Sequence, residues 1–423
     1  MTVQTAPPAP ELPGRHGDVV ALVPRINIDA FCSNPAITEA MRVAASDRRL
    51  ARAHIDIKLG GPQAAAALYG DAPTPNVLIV EIEGGRDSVL AELAHLADAC
   101  DPSTKVIVIG HVNDVVLYRE LIRIGVSEYL VAPPGPLHII EAIGALYVDP
   151  KAGQIGRILA FVGAKGGAGS STIAHNVGWQ FARKLMIDTV IVDLDLAFGT
   201  AGLNFNIEAA QGIAEAISQP ERVDQTLLER LLAKAGDRLS LLAAPGSIER
   251  EHEIDKEALD RILDGLRRAV PIVIVNVPNL WASWTKSTLI QADDVIVTAT
   301  PELAALRNTK GLVDFLKAAR PNDRPPRLFL NQVGVPRRPE IPVGDFARAV
   351  GAEPAVVLPF EPQIFGTASS HGQMIAEVAA RSRPAELIEA FALELAGRSA
   401  APVDAAKRLL LPFMDRLSSL RRR

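Results

Sequence analysis

Short apolar runs alternate with amphipathic stretches along most of the chain. The runs are rich in β-branched residues and end at Gly or Pro, which is typical of buried strands. The stretches between them, such as Asp87–Ala99 and Asp114–Gly125, carry apolar residues at helical spacing. This alternation predicts a parallel sheet covered by helices on both faces. In the first third of the chain the predicted strands are Val19–Pro24, Asn76–Ile82, Lys105–Gly110 and Glu128–Pro134.

The same alternation continues after residue 156 and predicts a second, larger sheet. Seven strands with helices between them indicate one doubly wound domain. The fold class predicted for the whole chain is therefore α/β, with two doubly wound parallel-sheet domains. The seven predicted strands are Arg157–Ala164, Thr189–Asp195, Leu239–Pro245, Pro271–Pro278, Asp294–Thr300, Arg327–Val333 and Ala355–Phe360.

Changes in composition mark the predicted boundaries between these units. A polar, proline-rich start lacks the apolar core of a signal peptide. A stretch with one Pro and two Gly separates the two sheets, and a short basic segment follows the second. The predicted division is a disordered tail at 1–17, a first domain at 18–147, a linker at 148–156, a second domain at 157–397 and a basic amphipathic tail at 398–423.

Composition limits the classes of partner. The formal net charge of the 423 residues is −5 and the pI is near 6.0, which argues against a protein whose main partner is nucleic acid. Cys32 and Cys100 are widely separated and indicate buried thiols in a reducing compartment. No window approaches 18 continuous apolar residues, so we expect a cytoplasmic protein.

The stretch VGAKGGAGSSTIAHN, residues 162–176, has the form of a phosphate-binding loop between a strand and a helix. Backbone N–H groups of such a turn bind anionic oxygens, and the helix N-terminus adds partial positive charge. The usual pattern is G-x-x-x-x-G-K-[ST]. Here Ala164 replaces the first Gly and Ser170 replaces the Lys, while Ser171 supplies the hydroxyl that ligates Mg²⁺. The alternative is an ordinary glycine turn. The predicted nucleotide-binding residues are Lys165, Gly166, Gly167, Ala168, Gly169, Ser170, Ser171 and Thr172.

Two carboxylates support the nucleotide interpretation. Asp193 and Asp195 are two residues apart at the end of a predicted strand, so both side chains are expected to face one crevice. The alternative is that they only cap the following turn. A Walker B strand should end in Asp, but Pro271–Pro278 carries the neutral Asn276, a poorer partner for Mg²⁺.

The form K-G-G-x-G-x-[ST] resembles the deviant phosphate loop of the MinD/ParA superfamily. The resemblance implies an ATP-bridged homodimer in which Lys165 reaches the partner's phosphates and stabilises transition-state charge. It makes Lys165 and Asp195 catalytic. It also matches Asp193 and Asp195 to the acidic pair near Mg²⁺ and the attacking water, so that Ser171, Asp193 and Asp195 are the residues expected to bind the metal. Most members carry a second lysine where Ser170 stands, so we expect hydrolysis to be slow or absent. Asn331 matches the residue that reads adenine, although a strand-end Asn is otherwise a turn former.

Further motifs resemble one branch of this superfamily, the CpaE/TadZ proteins of pilus assembly. They are the paired Trp281 and Trp284, the segment Leu241–Glu249 and the loop without its second lysine. That branch carries an N-terminal domain like a response-regulator receiver, which residues 18–147 resemble. The resemblance implies a factor that localises or assembles a type IVb (Flp/Tad) pilus machine, with pilus components as partners and a polar position at the inner membrane.

The receiver-like unit lacks the residues for phosphotransfer. Glu81, Gly110 and Ala132 stand where a working receiver has Asp, Ser/Thr and Lys, and no acidic pair follows the first predicted strand. Glu81 could mimic a permanent negative charge, but a lone Glu at a strand end is usually solvated. We therefore interpret the unit as a pseudo-receiver used for docking.

The segment Ala405–Arg423 combines seven large apolar residues with basic residues and a terminal Arg triplet. This pattern suits the interface of an anionic membrane. The alternative is a helix that packs on its own domain or on a partner, and Pro412 interrupts the pattern.

Two other functions compete with the pilus assignment. A ParA-type DNA-partitioning ATPase would need a basic surface, which the acidic balance disfavours. A scaffold that has lost nucleotide altogether is permitted by Ser170 and Asn276.

Overall fold

The computed structural model describes residue 23 and residues 25–70, 72–147, 155–208, 211–247 and 253–398. These residues form two separate sheets, one of five strands and one of eight. The α/β class with two parallel sheets is thereby confirmed. The strands are β1 Asn27–Cys32, β2 His54–Leu59, β3 Val77–Ile82, β4 Lys105–Gly110, β5 Glu128–Val131, β6 Arg157–Gly163, β7 Thr189–Asp193, β8 Ala233–Gly236, β9 Leu239–Leu242, β10 Ile272–Val277, β11 Asp294–Ala299, β12 Arg327–Val333 and β13 Pro354–Pro359.

Helices connect these strands and cover both faces of each sheet. Several begin at a side chain that accepts a backbone N–H of the first turn, as Asn34, Asp255 and Ser382 do. The helices are α1 Pro35–Ala45, α2 Pro62–Tyr69, α3 Arg86–Ala97, α4 Val115–Arg123, α5 Pro136–Ala145, α6 Ser170–Arg183, α7 Ala201–Asn204, α8 Ile213–Ser218, α9 Gln225–Leu231, α10 Lys256–Ala269, α11 Ser283–Gln291, α12 Leu303–Ala319, α13 Val343–Val350, α14 Pro362–His371, α15 Ile375–Val378 and α16 Arg383–Leu395, with short 3₁₀ turns at Arg48–Leu50 and Pro220–Arg222.

The first sheet has the strand order β2-β1-β3-β4-β5, and every neighbouring pair is parallel. Strand β3 lies in the middle and is buried along its whole length. Its alternate side chains enter two apolar clusters, one on each face of the sheet. This is a doubly wound arrangement, in which ligands bind beyond the carboxyl ends of the strands.

The start of this sheet differs from the prediction. The first strand described is Asn27–Cys32, whereas the predicted Val19–Pro24 lies almost entirely outside the described residues. Strand β2 was not predicted either, because its polar residues alternate with apolar ones at an edge of the sheet. The residues that follow the true first strand are Ser33 and Asn34, so there is no acidic pair there.

The second sheet has the order β13-β12-β11-β6-β10-β7-β9-β8. The prediction of seven strands was wrong by one: β8 pairs antiparallel with β9 at the edge, and the other described pairs are parallel. Helices α6 and α16 pack on one face, while α10 and α12 pack on the other. Strand β6 lies between β10 and β11, where successive connections run to opposite faces. The loop that follows β6 therefore opens into the crevice at the carboxyl edge.

A buried ion-pair cluster joins the two units at their strand-start edges. Arg48, in the 3₁₀ turn before β2, places its Nε 2.7 Å from Asp323 Oδ2 and its Nη1 2.6 Å from the Gln291 carbonyl. Asn322 donates to Asp47 at 3.0 Å. Residues 320–323 precede β12, so the contact lies at the opposite edge of the second sheet from the glycine-rich loop.

Candidate functional site

The glycine-rich loop joins the end of β6 to the first residue of α6. Gly167 and Gly169 have φ of +77° and +90°, in the left-handed region that favours glycine. A Cβ built on Gly166 or Gly167 meets no atom within 4 Å, so this part of the loop faces open space. The arrangement is the concave turn at a helix N-terminus that an anion-binding site requires.

Four side-chain amides bind the carbonyl oxygens of this loop from within the protein. The carbonyls concerned belong to residues 163, 164, 167 and 168, and the contacts measure 2.8–3.1 Å. Two N–H groups of the loop also bond within the chain, that of Ala164 to the Thr298 carbonyl at 2.8 Å and that of Ala168 to the Lys165 carbonyl at 3.3 Å. The N–H groups of the three loop glycines have no acceptor among the described residues and are left for a ligand. The donors are Asn279, Asn308, Asn331 and Gln332. Asn279, Asn308 and Gln332 were missed from the sequence, where only their positions distinguish them: Asn279 and Gln332 lie at strand ends, and Asn308 lies in the second turn of α12.

Buried polar atoms without partners surround the loop. The Ser170 hydroxyl, in the slot of the missing lysine, has no hydrogen-bond partner among the described residues, although the residue is buried. The same holds for Asn276 Oδ1 and for the hydroxyl of Thr298, which neighbours Gly163 in the sheet. Native proteins rarely leave such groups unpaired. The concave turn of the glycine-rich loop, which we call the cradle, and these unpaired atoms together fit a polar ligand on the loop.

Lys165 does not reach over the loop. Its Nζ lies 2.7 Å from Glu302 Oε2, and Arg338 Nη1 lies 3.2 Å from the other oxygen of that carboxylate. The hydrogen bond from Lys165 lowers the pKa of Glu302. Glu302 immediately precedes α12, beside the carboxyl end of β11. The lysine thus has an acceptor within its own chain.

Asp193 is fully buried and its oxygens accept hydrogen bonds from the protein. Asn276 Nδ2 donates to Oδ1 at 2.9 Å, and the Ala201 N–H donates to Oδ2 at 3.2 Å. Burial raises the pKa of Asp193, and the hydrogen bond from Asn276 opposes that rise. Asn276 is thus the buried partner of Asp193.

Asp195 lies beyond the end of β7, because the strand stops at Asp193 and not at Asp195 as predicted. The side chain is half-buried, and its Oδ1 caps the next turn by accepting from the Phe198 N–H at 3.1 Å. Burial raises its pKa. Asp195 N also donates to Asp193 Oδ1 at 3.2 Å, so the two acids are close. Their roles toward Mg²⁺ stay predictions.

A cavity of about 490 Å³ opens beside the loop, between α6, the end of β12 and α14. Gly167 and Gly169 border it on one side, and Phe360 and Phe365 supply apolar wall. Asn331 also borders it, but both ends of its amide are engaged. Its Nδ2 donates to the Ala168 carbonyl at 2.9 Å and its Oδ1 accepts from the Gln332 N–H at 2.8 Å.

His175, on α6, borders the same cavity and was not singled out from the sequence. The side chain is fully buried, and burial lowers its pKa to about 4. Nδ1 lies 2.8 Å from Asn204 Nδ2, while Nε2 has no partner among the described residues. From the sequence alone, a single histidine on an amphipathic helix is interpreted as a buried core residue. Its position beside the cavity is visible only in the folded structure.

A family model described as an AAA domain matches residues 156–325, which contain the loop, Asp193, Asp195 and Asn276. The crystal structure of a pilus assembly protein CpaE from Caulobacter crescentus is 49% identical in sequence to this chain. The match covers 30% of this chain and 98% of that one, with a TM-score of 0.30, so the sequence identity carries the assignment. The chain belongs to the CpaE family.

The larger sheet of this CpaE-family chain has the MinD/ParA-like fold of P-loop NTPases. The septum site-determining protein MinD of Pyrococcus horikoshii, solved with Mg-ADP, superposes with a TM-score of 0.50 at 19% identity. The superposition covers 57% of this chain and 96% of that one. MinD of Synechocystis is 24% identical over 163 residues, which are 38% of this chain and 60% of MinD. The chain thus spans less than two thirds of this relative's length.

Glu81, in the first unit of the CpaE-family chain, is buried, so the expectation of a solvated residue was wrong. Its Oε2 accepts from the backbone N–H groups of Ser33 and Asn34 at 2.7 and 2.8 Å, and its Oε1 lies 3.2 Å from His111 Nε2. The carboxylate thus binds the N-terminus of α1. Because β3 places it beneath that turn, Glu81 serves a structural contact.

The paired tryptophans differ in exposure. Trp284 is buried, whereas Trp281 is half-exposed and packs edge-on against Phe315 at 5.2 Å between ring centroids. The predicted membrane tail, residues 398–423, lies outside the described residues except for Arg398. None of the described helices has both the length and the apolar content to cross a bilayer.

Proposed function

We propose that this chain binds ATP with Mg²⁺ on residues 165–172, dimerises around the nucleotide, and acts as a localisation or assembly factor for a type IVb (Flp/Tad) pilus machine. Hydrolysis is slow or absent. The observation that carries the proposal is the open cradle of Gly166, Gly167 and Gly169. Side-chain amides of Asn331 and Gln332 donate to the carbonyls of Ala168 and Gly167 in this loop.

The residues of the cradle suit a triphosphate with its metal. Loop N–H groups and the N-terminus of α6 would bind phosphate oxygens, and the unpaired Ser170 hydroxyl would donate to one of them. Ser171 and Asp195 offer the hard oxygen ligands that Mg²⁺ prefers. Bound Mg²⁺ would neutralise charge on the phosphates. The Mg-ADP of Pyrococcus horikoshii MinD, a protein of the same fold, supports this choice of ligand.

Slow hydrolysis follows from the side chains around the loop. Ser170 brings no positive charge to the phosphates, and Lys165 is paired with Glu302 at 2.7 Å. Asn276 is neutral and donates to Asp193, whose oxygens already have protein donors. Charge that develops on transferred phosphate is therefore poorly compensated within one copy.

Exposed apolar side chains support dimerisation at the carboxyl edge. Large apolar residues in the segments that follow β7, β10 and β11 face solvent there. Such a set is costly to leave exposed on a soluble surface and is typical of an interface. A second copy would cover it and could accept Lys165 near its own phosphates. The residues are Phe198, Leu280, Trp281 and Leu303.

The role in pilus assembly comes from the CpaE family. The Caulobacter relative is described as a pilus assembly protein, and the type of pilus is our extension of that description. We assign residues 18–147 to docking on partners at the cell pole, and the tail at 398–423 to an anionic inner-membrane surface. The division at 148–156 belongs to the same proposal.

Sedimentation of the full chain with and without ATP and Mg²⁺ tests the nucleotide switch. We expect a monomer that becomes a dimer with ATP, and loss of that response in Lys165→Ala and Asp195→Ala. A dimer that forms equally well without ligand would support the nucleotide-free scaffold instead. A DNA shift that disappears with salt would support the partitioning ATPase.

A further inference from the structure

Strand β2 leaves an open edge on the first sheet. Among the described strands only β1 pairs with it, and the register between the two is regular throughout. The N–H groups of His54 and of Gly60, just after the strand, donate to carbonyls on the β1 side at 2.8 and 3.4 Å. Backbone groups of successive strand residues point to opposite sides, so the groups that point away from β1 belong to the odd-numbered residues. These are Ile55, Ile57 and Leu59.

This edge lacks the usual obstacles to pairing with another strand. The outward N–H and C=O groups have no hydrogen-bond partner in the part of the chain that the structure describes. Natural edge strands are commonly blocked by Pro or by a bulge, and β2 has neither. Leu59, at its end, is 83% exposed. A regular, open edge of this kind is a template for a further strand.

The sequence of β2 is complementary to itself. When two copies of β2 run antiparallel with Ile57 opposite Ile57, the outward groups of both strands meet, and Ile55 lies opposite Leu59 at either end. In the same register Asp56 lies opposite Lys58 twice, at the non-hydrogen-bonded positions where facing side chains are closest. The side chains of Asp56 and Lys58 are 54% and 33% exposed, so both are accessible to a second copy.

Charge disfavours the neighbouring registers. A shift of the partner strand by two residues in one direction puts Asp56 opposite Asp56, and the same shift in the other direction puts Lys58 opposite Lys58. Like charges that face each other directly destabilise a sheet. Lys58 is also bound to Asp29 of its own chain, but an ammonium has three N–H groups and can donate to both carboxylates. The register centred on Ile57 is therefore the favoured one.

We propose that two copies of this chain pair through β2, antiparallel about Ile57, and join their first sheets into one continuous sheet. A single short strand buries little surface, so the pairing is weak in dilute solution, where the free chain stays monomeric. It links copies that are concentrated at one place or already bridged by ATP. The pairing uses none of the residues proposed to bind nucleotide, so its failure would leave the proposed function intact.

Disulfide cross-linking of the full chain at high protein concentration tests the register. Facing residues of a hydrogen-bonded antiparallel pair have Cα atoms about 5.5 Å apart, which a disulfide can span. In a Cys100→Ser background, where the remaining Cys32 is buried, we expect Ile57→Cys to give a linked dimer under mild oxidation. Leu59→Cys is the matched control, because it is more exposed but faces Ile55. Cross-linking at position 59 that equals that at 57, or none at 57, would overturn the proposal.

A charge reversal at Asp56 tests the complementarity. Asp56→Lys puts the new ammonium opposite Lys58 of the other copy and leaves the backbone bonds to β1 in place. We expect the initial rate of cross-linking through Ile57→Cys to fall about fivefold or more, because two attractive pairs become repulsive. Asp98→Lys makes the same charge change at an exposed site after α3 and should leave the rate unchanged. Equal rates in Asp56→Lys and Asp98→Lys would contradict the register.

The start of the chain is the other candidate occupant of this edge. Val20→Pro, within the predicted strand Val19–Pro24, removes a donor that a strand there would need. We expect it to leave cross-linking through Ile57→Cys unchanged. A rise of several-fold in Val20→Pro would show that the chain covers the edge with its own residues, and would overturn pairing between copies.

Hydrogen exchange of wild type gives a measurement that needs no substitution. We expect the N–H groups of Ile55, Ile57 and Leu59 to exchange more slowly as the protein concentration rises, because a second strand then accepts from them. The N–H groups of β1 have partners at every concentration and serve as the internal control. Exchange of the three outward groups that does not depend on concentration would overturn the proposal.

Discussion

Lys165 Nζ lies 2.7 Å from Glu302 Oε2, so the lysine expected to act on a partner's phosphates is paired within its own chain. Both side chains are about 30% exposed, at 33% and 29%. The pair therefore contributes at most about 1 kcal/mol. A pair this weak can open when a stronger anion approaches.

Removing the charge of Glu302 should favour the dimer. In Glu302→Gln we expect ATP-dependent association to tighten by up to about fivefold, because Lys165 no longer has to leave an ion pair. Sedimentation equilibrium with ATP and Mg²⁺ measures the change. Asp314→Asn, which removes an exposed i,i+4 partner of Lys310 on the same helix, is the control. Association equal to wild type would show that the Glu302 contact does not restrain Lys165.

Restoring the lysine of the loop should have opposite effects with and without nucleotide. In Ser170→Lys the new ammonium is buried without a partner, so we expect the free protein to melt at a lower temperature. With ATP and Mg²⁺ the cation meets phosphate, and affinity should rise about tenfold or more.

Thermal melts at increasing ATP measure both effects. Ser170→Met has a side chain of similar length without charge, so it should lose stability and gain no affinity. A Lys variant that binds ATP no better than the Met variant would place the phosphates elsewhere.

The buried His175 makes stability depend on pH. Its pKa is about 4 when folded and near 6.5 when unfolded, so the unfolded chain binds more protons between those values. Stability is therefore lost as pH falls from 6.5 toward 4, by about 2 kcal/mol at pH 5. The raised pKa values of Asp193 and Asp195 act in the opposite direction, since protonation there favours the folded state.

Urea unfolding of wild type and His175→Phe at pH 7 and pH 5 isolates the histidine. The difference in unfolding free energy between the two proteins should change by about 2 kcal/mol, because only wild type loses the histidine contribution. A difference that is the same at both pH values would mean that His175 is not buried in its neutral form.

A second carboxylate beside Asp193 should be tolerated only at low pH. In Asn276→Asp two acids share a buried site, so one of them must keep its proton. We expect a loss of about 1–3 kcal/mol at pH 8 that shrinks as pH falls toward 4. The swap Asp193→Asn with Asn276→Asp restores one amide and one carboxylate and should recover most of the loss. A stability difference between Asn276→Asp and wild type that is the same at pH 8 and at pH 5 would contradict this account.

The cluster around Arg48 should account for much of the attachment between the units. Arg48→Ala leaves Asp323 buried without one of its partners, and we expect a loss of about 3 kcal/mol or more. Unfolding that separates into two transitions, with faster proteolysis between the two sheets, would report the detachment. Arg42→Ala removes an exposed pair with Glu39 and should change stability by less than about 1 kcal/mol.

The central strands were predictable because they are continuous aliphatic runs. Lys105–Gly110 and Arg327–Val333 were placed with their observed bounds, and β3 and β6 differ from the prediction by one residue at one end. Strands β1, β2 and β8 were missed because polar residues or glycine interrupt their apolar runs. Strands β2 and β8 also lie at sheet edges, where one side of the strand pairs with no other strand and polar side chains are tolerated.

The loop was recognisable because its glycines and serines are adjacent in sequence. Its support was not, since Asn279, Asn308 and Gln332 come from three later segments and meet only in the folded chain. Glu81 was misjudged for the same reason. Its partners, Ser33 and Asn34, belong to a turn 47 and 48 residues earlier in the chain.

The Arg48 contact joins the two sheets by the edges at which their strands begin. The glycine-rich loop, at the carboxyl edge of the larger sheet, therefore lies at the opposite edge of that sheet from the contact with the first unit. If two copies meet over the glycine-rich loop, as we propose, the first unit of each copy is attached at the edge of the larger sheet that faces away from the shared interface. Such a dimer would carry two copies of the first unit, with the nucleotide between the two larger sheets. It would therefore offer two identical docking surfaces to one assembly.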